Sequence, residues 1–188
     1  MTVDKIYLNA NELLLDSYRL GINILNSGFK PDYIVGIWRG GTPVGIAVQE
    51  ILHYLGVESD HIAIRTSSYY GIGKQDKTVK VHGLEYLLNN INHDDNLLLV
   101  DDVFDSGRSV QAVIDSLRKK ARRNTPDDIR IAVPWFKPNK NMTKIIPDYY
   151  LHSTDDWLVF PHELDGLDEK EIFANKPGLE DIMATYKR

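Results

Sequence analysis

The sequence predicts an α/β fold: a central parallel β-sheet flanked by helices, with a small irregular hood or cap from the C-terminal part. Three observations carry that expectation. Helical patterns alternate with short apolar runs through most of the 188 residues. The run Leu97-Leu98-Leu99-Val100 is continuously apolar rather than alternating, as a strand covered on both faces requires. It ends in Asp101-Asp102 and a loop of small residues, so polar groups gather at the carboxyl end of a strand, where such sheets bind ligands.

The elements follow in chain order. Leu14, Tyr18, Ile22 and Leu25 recur at helical spacing, and Gly28 and Pro31 close that helix. Tyr33 to Trp38 reads as a buried strand, followed by the turn Arg39-Gly40-Gly41-Thr42. Pro43 suits a first helical position, and the helix runs to Leu55 with Gly56 as its cap. His61 to Arg65 is a short strand. Residues 66–80 are polar and hold Gly71 and Gly73; they read as a long mobile loop, the usual form of a lid. Gly83 to Ile91 is a short helix. Asn96 to Asp101 and Ile129 to Val133 are strands flanking a helix from about Arg108 to Arg123, whose apolar face is Val110, Val113, Ile114 and Leu117. From Pro134 onward, prolines punctuate short strands and turns. The expectation is one domain over residues 1–188, with a core at about 30–136, a flexible lid at about 66–80, and a hood and tail at about 137–188. No internal repeat or low-complexity segment interrupts it.

Composition excludes several classes. The hydrophobic share of 43% and charged share of 26% are those of an ordinary globular chain. With no cysteine there is no disulfide and no thiolate metal site, and a cytoplasmic setting is expected. The opening residues MTVDKIYLNANELLLD are acidic and polar rather than a signal peptide. No apolar run approaches the roughly 20 residues a membrane span needs. A net charge of −5 argues against a nucleic-acid partner. The basic cluster Arg118 to Arg123 reads as cations complementing a helix C-terminus. None of the six histidines has metal-ligand spacing, and His162-Glu163 lacks the second histidine of a zincin helix.

Two acids at a strand end, followed by backbone N–H groups at a helix start, suit a ligand carrying both hydroxyls and a phosphate. A sugar phosphate has both. Asp101-Asp102 alone would read equally well as a solvated strand end; the attached loop decides against that. Val100 to Ser109 resembles the phosphoribosyl pyrophosphate (PRPP) motif of the type I phosphoribosyltransferases: an apolar strand, two acids, then a D-[ST]-G-x-[ST] loop. Ile37-Trp38-Arg39-Gly40-Gly41 stands after the first core strand, where that family places its pyrophosphate loop. Ser68-Tyr69 resembles the start of its catalytic lid. With Lys137 and Trp157, the resemblance covers roughly residues 30–165 and is nearest to the hypoxanthine and xanthine-guanine branch.

The resemblance implies transfer of 5-phosphoribosyl from PRPP to a purine base (hypoxanthine, guanine or xanthine), with Mg²⁺ as cofactor and PRPP as co-substrate. It implies that Asp101 and Asp102 accept hydrogen bonds from the ribose hydroxyls and, with Glu163, hold the metal. Ser106, Gly107, Arg108 and Ser109 would wrap the 5′-phosphate. Arg39, Gly40 and Gly41, with Ser68 and Tyr69, would meet the pyrophosphate, and a cis peptide is expected at Trp38-Arg39. Asp105 would take the proton from purine N7; a helix N-cap is its plainer reading. Lys137 would contact the exocyclic oxygen at C6, Trp157 would stack on the base, and the carbonyl near Leu158 would read the purine edge. Without the resemblance, Lys137 reads as a solvated surface lysine and Trp157 as a core tryptophan. Departures are mild: the acid pair is Asp-Asp where some purine enzymes have Glu-Asp, Arg108 and Ser109 replace Lys or Arg and Thr, and 132–160 aligns loosely. The expected assembly is a homodimer or higher homo-oligomer, with neither membrane nor nucleic acid as partner. The alternative is a non-catalytic PRPP-sensing or RNA-binding regulator on the same fold. A phospho-accepting receiver domain is set aside, because there the acid pair follows the first strand and here it comes late, joined to a phosphate loop.

Overall fold

The computed structural model describes residues 5–70 and 77–186 and gathers into two units, each with its own sheet: Leu13–Asp155, and Met1–Glu12 with Asp156–Arg188. In chain order the elements are β1 (Lys5–Tyr7), α1 (Ala10–Asn26), β2 (Tyr33–Trp38), α2 (Gly41–Tyr54), β3 (Asp60–Tyr70), β4 (Lys77–His82), α3 (Glu85–Asn90), β5 (Asn96–Val100), β6 (Val103–Phe104), α4 (Arg108–Ala121), β7 (Asp128–Phe136), β8 (Tyr149–Ser153), β9 (Trp157–Val159), α5 (Glu169–Asn175) and α6 (Leu179–Ala184). The large sheet runs β4-β3-β2-β5-β7-β6, with β8 also on β7. Every pairing is parallel except β3 with β4. The expected parallel α/β architecture is the one observed.

Continuous apolar strands bury both faces. Val35 and Ile37 of β2 and Leu97 and Leu99 of β5 join Leu87 of α3 and Val110, Val113, Ile114 and Leu117 of α4 in one core. Ile34, Leu98 and Val100, the alternate residues, are equally buried outside that cluster, as strand alternation requires. The last turn of α4 carries Arg118, Lys119 and Lys120, all exposed, which is the placement a helix C-terminus favours.

Three expectations need correction. The segment 66–80, read as a long loop, is in its described part an antiparallel ribbon: β3 continues to Tyr70 and pairs with β4 from Arg65↔His82 to Tyr70↔Lys77. The polar pattern that suggests a loop is compatible with an edge pair, and Thr, Tyr and Val at these positions favour strand. Gly71 and Gly73 lie outside the described residues. The second correction concerns α2, which begins at Gly41 rather than at Pro43. The third concerns β7, which runs on to Phe136 past Pro134.

Beyond 136 the chain is divided otherwise than at the expected hood boundary. Residues up to Asp155 stay with the large sheet, and the smaller unit takes the first twelve residues instead. Its sheet is β1 beside β9, with Lys5↔Trp157, Ile6↔Leu158 and Tyr7↔Val159. Glu171 of α5 ties β1 down: Lys5 Nζ donates to it at 2.6 Å and Tyr7 Oη at 3.1 Å. Asp168 and Glu171 form a capping box at the start of α5. Among the described residues no helix is long and apolar enough to cross a membrane.

Candidate active site

The acid pair occupies a gap within one strand line. β5 faces β7 with Asn96↔Asp128 through Val100↔Ala132, and β6 resumes with Val103↔Trp135 and Phe104↔Phe136. The offset is the same on both sides of the gap, so Asp101 and Asp102 sit in register although they leave the ladder. β2 pairs with β5 only as far as Gly36↔Val100, and the turn after β2 lies against the acids there. A Cβ on Gly40 would fall 1.7 Å from Asp102 Oδ2, and one on Gly41 2.4 Å from the Val100 carbonyl oxygen. The Gly-Gly pair therefore serves close approach. The Trp38–Arg39 peptide before it is cis, as the resemblance implies; Arg39 itself is exposed.

Burial pushes the Asp101 carboxyl well above the usual carboxylate range, and the Asp102 carboxylate beside it adds to the rise. The backbone N–H groups of Asp102, at 3.0 Å, and of Gly41 donate to Asp101 and pull the other way. A raised native value means stability that is full below the unfolded value of 3.8 and lost as pH rises through the native one. Asp101→Asn keeps an acceptor for both N–H groups and removes the ionisation. The variant is therefore expected to melt above wild type at pH 7, with the gap closing as pH falls towards 4; thermal unfolding across that range checks it. A variant no more stable than wild type at pH 7 contradicts the account.

After the acids, Asp105, Ser106, Gly107 and Ser109 join Asp101, Val103, Phe104 and Val110 around a hollow of about 70 Å³. Arg108 does not line it. Gly107 is the N-cap of α4 and has φ +72°, the left-handed region that favours glycine. A Cβ there would lie 2.7 Å from both Phe104 Cζ and Thr143 Oγ1. The N-cap role considered for Asp105 therefore belongs to Gly107. Asp105 is half-exposed instead, with Oδ2 3.5 Å from Lys137 Nζ, whose side chain is only 11% exposed. Register accounts for the pair: Phe104 faces Phe136, so Asp105 and Lys137 are the next residues along, and the Lys137 N–H donates to the Phe104 carbonyl at 2.9 Å. Lys137 is thus a buried cation beside an acid, not a solvated surface lysine.

The remaining candidates divide by unit. Ser68 and Tyr69 lie on β3, and their side chains are outside what is described. Trp157, Leu158 and Glu163 belong to the smaller unit. Trp157 is 51% exposed, which corrects its reading as a core tryptophan, while Leu158 is buried in β9. Glu163 closes a local turn, its Oε2 accepting from the Phe160 N–H at 3.1 Å. Among the described residues no group of three or more His, Cys, Asp or Glu is placed to hold a metal.

Two contacts escaped the sequence reading. Thr66 Oγ1 of β3 donates to Ser109 Oγ at 3.4 Å, and the Met142 N–H donates to the Ser106 carbonyl at 3.0 Å. Both join residues far apart in the chain, and neither has a local motif to announce it.

The family model described as phosphoribosyl transferase domain matches residues 5–168. The chain is 30% identical over 145 residues, 74% of each chain, to the bifunctional protein PyrR of Corynebacterium diphtheriae. Among solved structures it is similar to a purine phosphoribosyltransferase from Pyrococcus horikoshii, with 28% identity, TM-score 0.69, and 88% of this chain and 98% of that one covered. It is also similar in fold to the xanthine-guanine-hypoxanthine phosphoribosyltransferase of Helicobacter pylori, with 20% identity, TM-score 0.67, and coverage of 96% and 99%.

Proposed function

We propose that this chain, which belongs to the phosphoribosyl transferase domain family, transfers 5-phosphoribosyl from PRPP to an oxopurine base: hypoxanthine, guanine or xanthine. One observation carries the choice of acceptor. The buried Lys137 ammonium stands 3.5 Å from the Asp105 carboxylate at the edge of the acid-lined hollow, a donor and an acceptor spaced for a purine's C6 oxygen and N7–H. Purine N9 bonds to the anomeric carbon of PRPP as the bond from that carbon to pyrophosphate breaks, and Asp105 takes the N7 proton. Asp101 and Asp102 hold the ribose hydroxyls. Ser106, Gly107 and Ser109 hold the 5′-phosphate, with Arg108 beside them. Arg39, Gly40 and Gly41 receive the pyrophosphate, together with Ser68 and Tyr69. For Trp157, Leu158 and Glu163, the base-stacking, base-reading and metal roles rest on resemblance alone.

Mg²⁺ is the proposed cofactor. The acid pair suits a divalent cation, since Asp101 resists ionising beside Asp102 and a positive charge there would let both carry charge. Two carboxylates leave the other coordination positions to ligand oxygens and water, which is how Mg²⁺ is usually held with phosphates. When bound, it neutralises charge on the departing pyrophosphate.

The second reading is a non-catalytic PRPP-sensing or RNA-binding regulator on the same fold. Incubation with PRPP, Mg²⁺ and each purine in turn, with uracil as the pyrimidine control, separates them. The expected result is nucleoside monophosphate and pyrophosphate from at least one oxopurine. PRPP binding with no base consumed assigns the regulator instead.

A further inference from the structure

Behind the phosphate loop lies a turn that does not line the hollow. The Met142 N–H donates to the Ser106 carbonyl at 3.0 Å. Asn141 organises the turn: its Oδ1 accepts from the Thr143 N–H and the Thr143 hydroxyl, both at 2.9 Å, and its Nδ2 donates to the Ile145 carbonyl at 2.8 Å. Thr143 Oγ1 in turn accepts from the Ile145 N–H at 3.2 Å and lies against Gly107. Ile145 packs on the main core. The turn is thus anchored at one end in the core and at the other on the Ser106–Gly107 peptide.

A trans peptide points its C=O and N–H in opposite directions. With the Ser106 carbonyl drawn to the Met142 N–H, the Gly107 N–H is turned the opposite way; Gly107 lines the hollow and residues 141–145 do not. We propose that residues 141–145 are a backing clamp that presets this peptide for an anion, and that Asn141 is a positioning residue for PRPP. The inference rests on the reading of residues 105–109 as the 5′-phosphate grip. Asn141 touches no substrate. It holds the turn whose Met142 N–H fixes the Ser106 carbonyl, and donors aimed at a charged oxygen make the stronger class of hydrogen bond.

The test compares Asn141→Ala and Asn141→Asp with wild type, following KM for PRPP, kcat, KM for the base and calorimetric PRPP affinity. Asn141→Ala is expected to raise the PRPP KM and Kd by about tenfold, the scale of one hydrogen bond to an anion, with kcat within about twofold and the base KM unchanged. Asn141→Asp still accepts both Thr143 bonds but loses the donation to the Ile145 carbonyl, so it returns the PRPP KM only part of the way. A PRPP KM unmoved in Asn141→Ala, or a base KM that rises with it, overturns the inference. If Asn141→Ala does not fold, Thr143→Val takes its place under the same criterion. Wild type that neither binds PRPP nor turns it over removes the functional reading and the inference together; wild type that binds it no better than Asn141→Ala removes the inference alone.

Discussion

Asp105→Asn is expected to lower kcat by about 10²- to 10⁴-fold, the range a positioned acid or base supplies, while PRPP affinity stays within a few-fold of wild type. Asparagine matches the carboxylate in size, so the hollow keeps its shape. What it loses is the capacity to take a proton as the purine bonds to the anomeric carbon. It also removes the counter-charge 3.5 Å from Lys137 Nζ. Because Asp105 is half-exposed, the ion pair is screened. Its loss still leaves the Lys137 ammonium, only 11% exposed, without that counter-charge, so a modest fall in melting temperature should accompany the lost turnover. The decisive comparison is kcat against PRPP Kd in the same preparation. Equal losses in both would make Asp105 a binding residue and return the proton transfer to another group.

Lys137 and Asp105 also show where a sequence stops being legible. Each residue is visible as a candidate, yet nothing local says that they meet. Their meeting depends on the register of β5 and β6 against β7, and register is a property of two strands that neither contains alone. Two elements are read well from their own pattern: β2 has the expected bounds Tyr33–Trp38, and the α4 face Val110, Val113, Ile114 and Leu117 is buried as a set. In α1 the buried face is Leu13, Leu20 and Ile24 rather than the stripe Leu14, Tyr18, Ile22 and Leu25. Elements that depend on a distant partner are read badly. β1 is three residues that need β9, β6 is two that need β7, and the β3–β4 ribbon has no apolar periodicity to separate it from a loop. The acid pair and its loop are legible because strand, carboxylates, glycine and helix are contiguous. The 141–145 clamp is not, since its purpose appears only once Met142 reaches Ser106.

Gly40 and Gly41 are adjacent, and a Gly-Gly pair before a helix is by itself a weak signal, but their alanine variants are expected to fail in opposite ways. Gly40 has φ −66° and ψ −34° and Gly41 opens α2; neither has a positive φ, so alanine is not opposed by backbone conformation and the outcome is decided by space. At Gly41 the new methyl would stand 2.4 Å from the Val100 carbonyl oxygen and 2.7 Å from Asp101 Cα. Both are backbone atoms of the central strand line and cannot turn aside. Overpacking of that kind costs about 3 kcal/mol or somewhat more, a fall of roughly 6–12 °C in Tm for a chain of this size. At Gly40 the obstacle is the Asp102 carboxylate, 1.7 Å from the new methyl at Oδ2, and a side chain can rotate. The fold should survive Gly40→Ala with a Tm within a few degrees of wild type, because the methyl displaces the carboxylate rather than the strand. The displaced group is one of the two proposed to hold the ribose hydroxyls, so PRPP KM should rise at least tenfold, as expected for losing a charged hydrogen-bond partner. Thermal melts and PRPP titrations of both variants side by side settle the assignment. Gly40→Ala with wild-type PRPP affinity would remove Asp102 from the site, whereas a Gly41→Ala as stable as wild type would mean that β5 yields at Val100 and that the close packing of turn on strand is not what holds the acid pair in place.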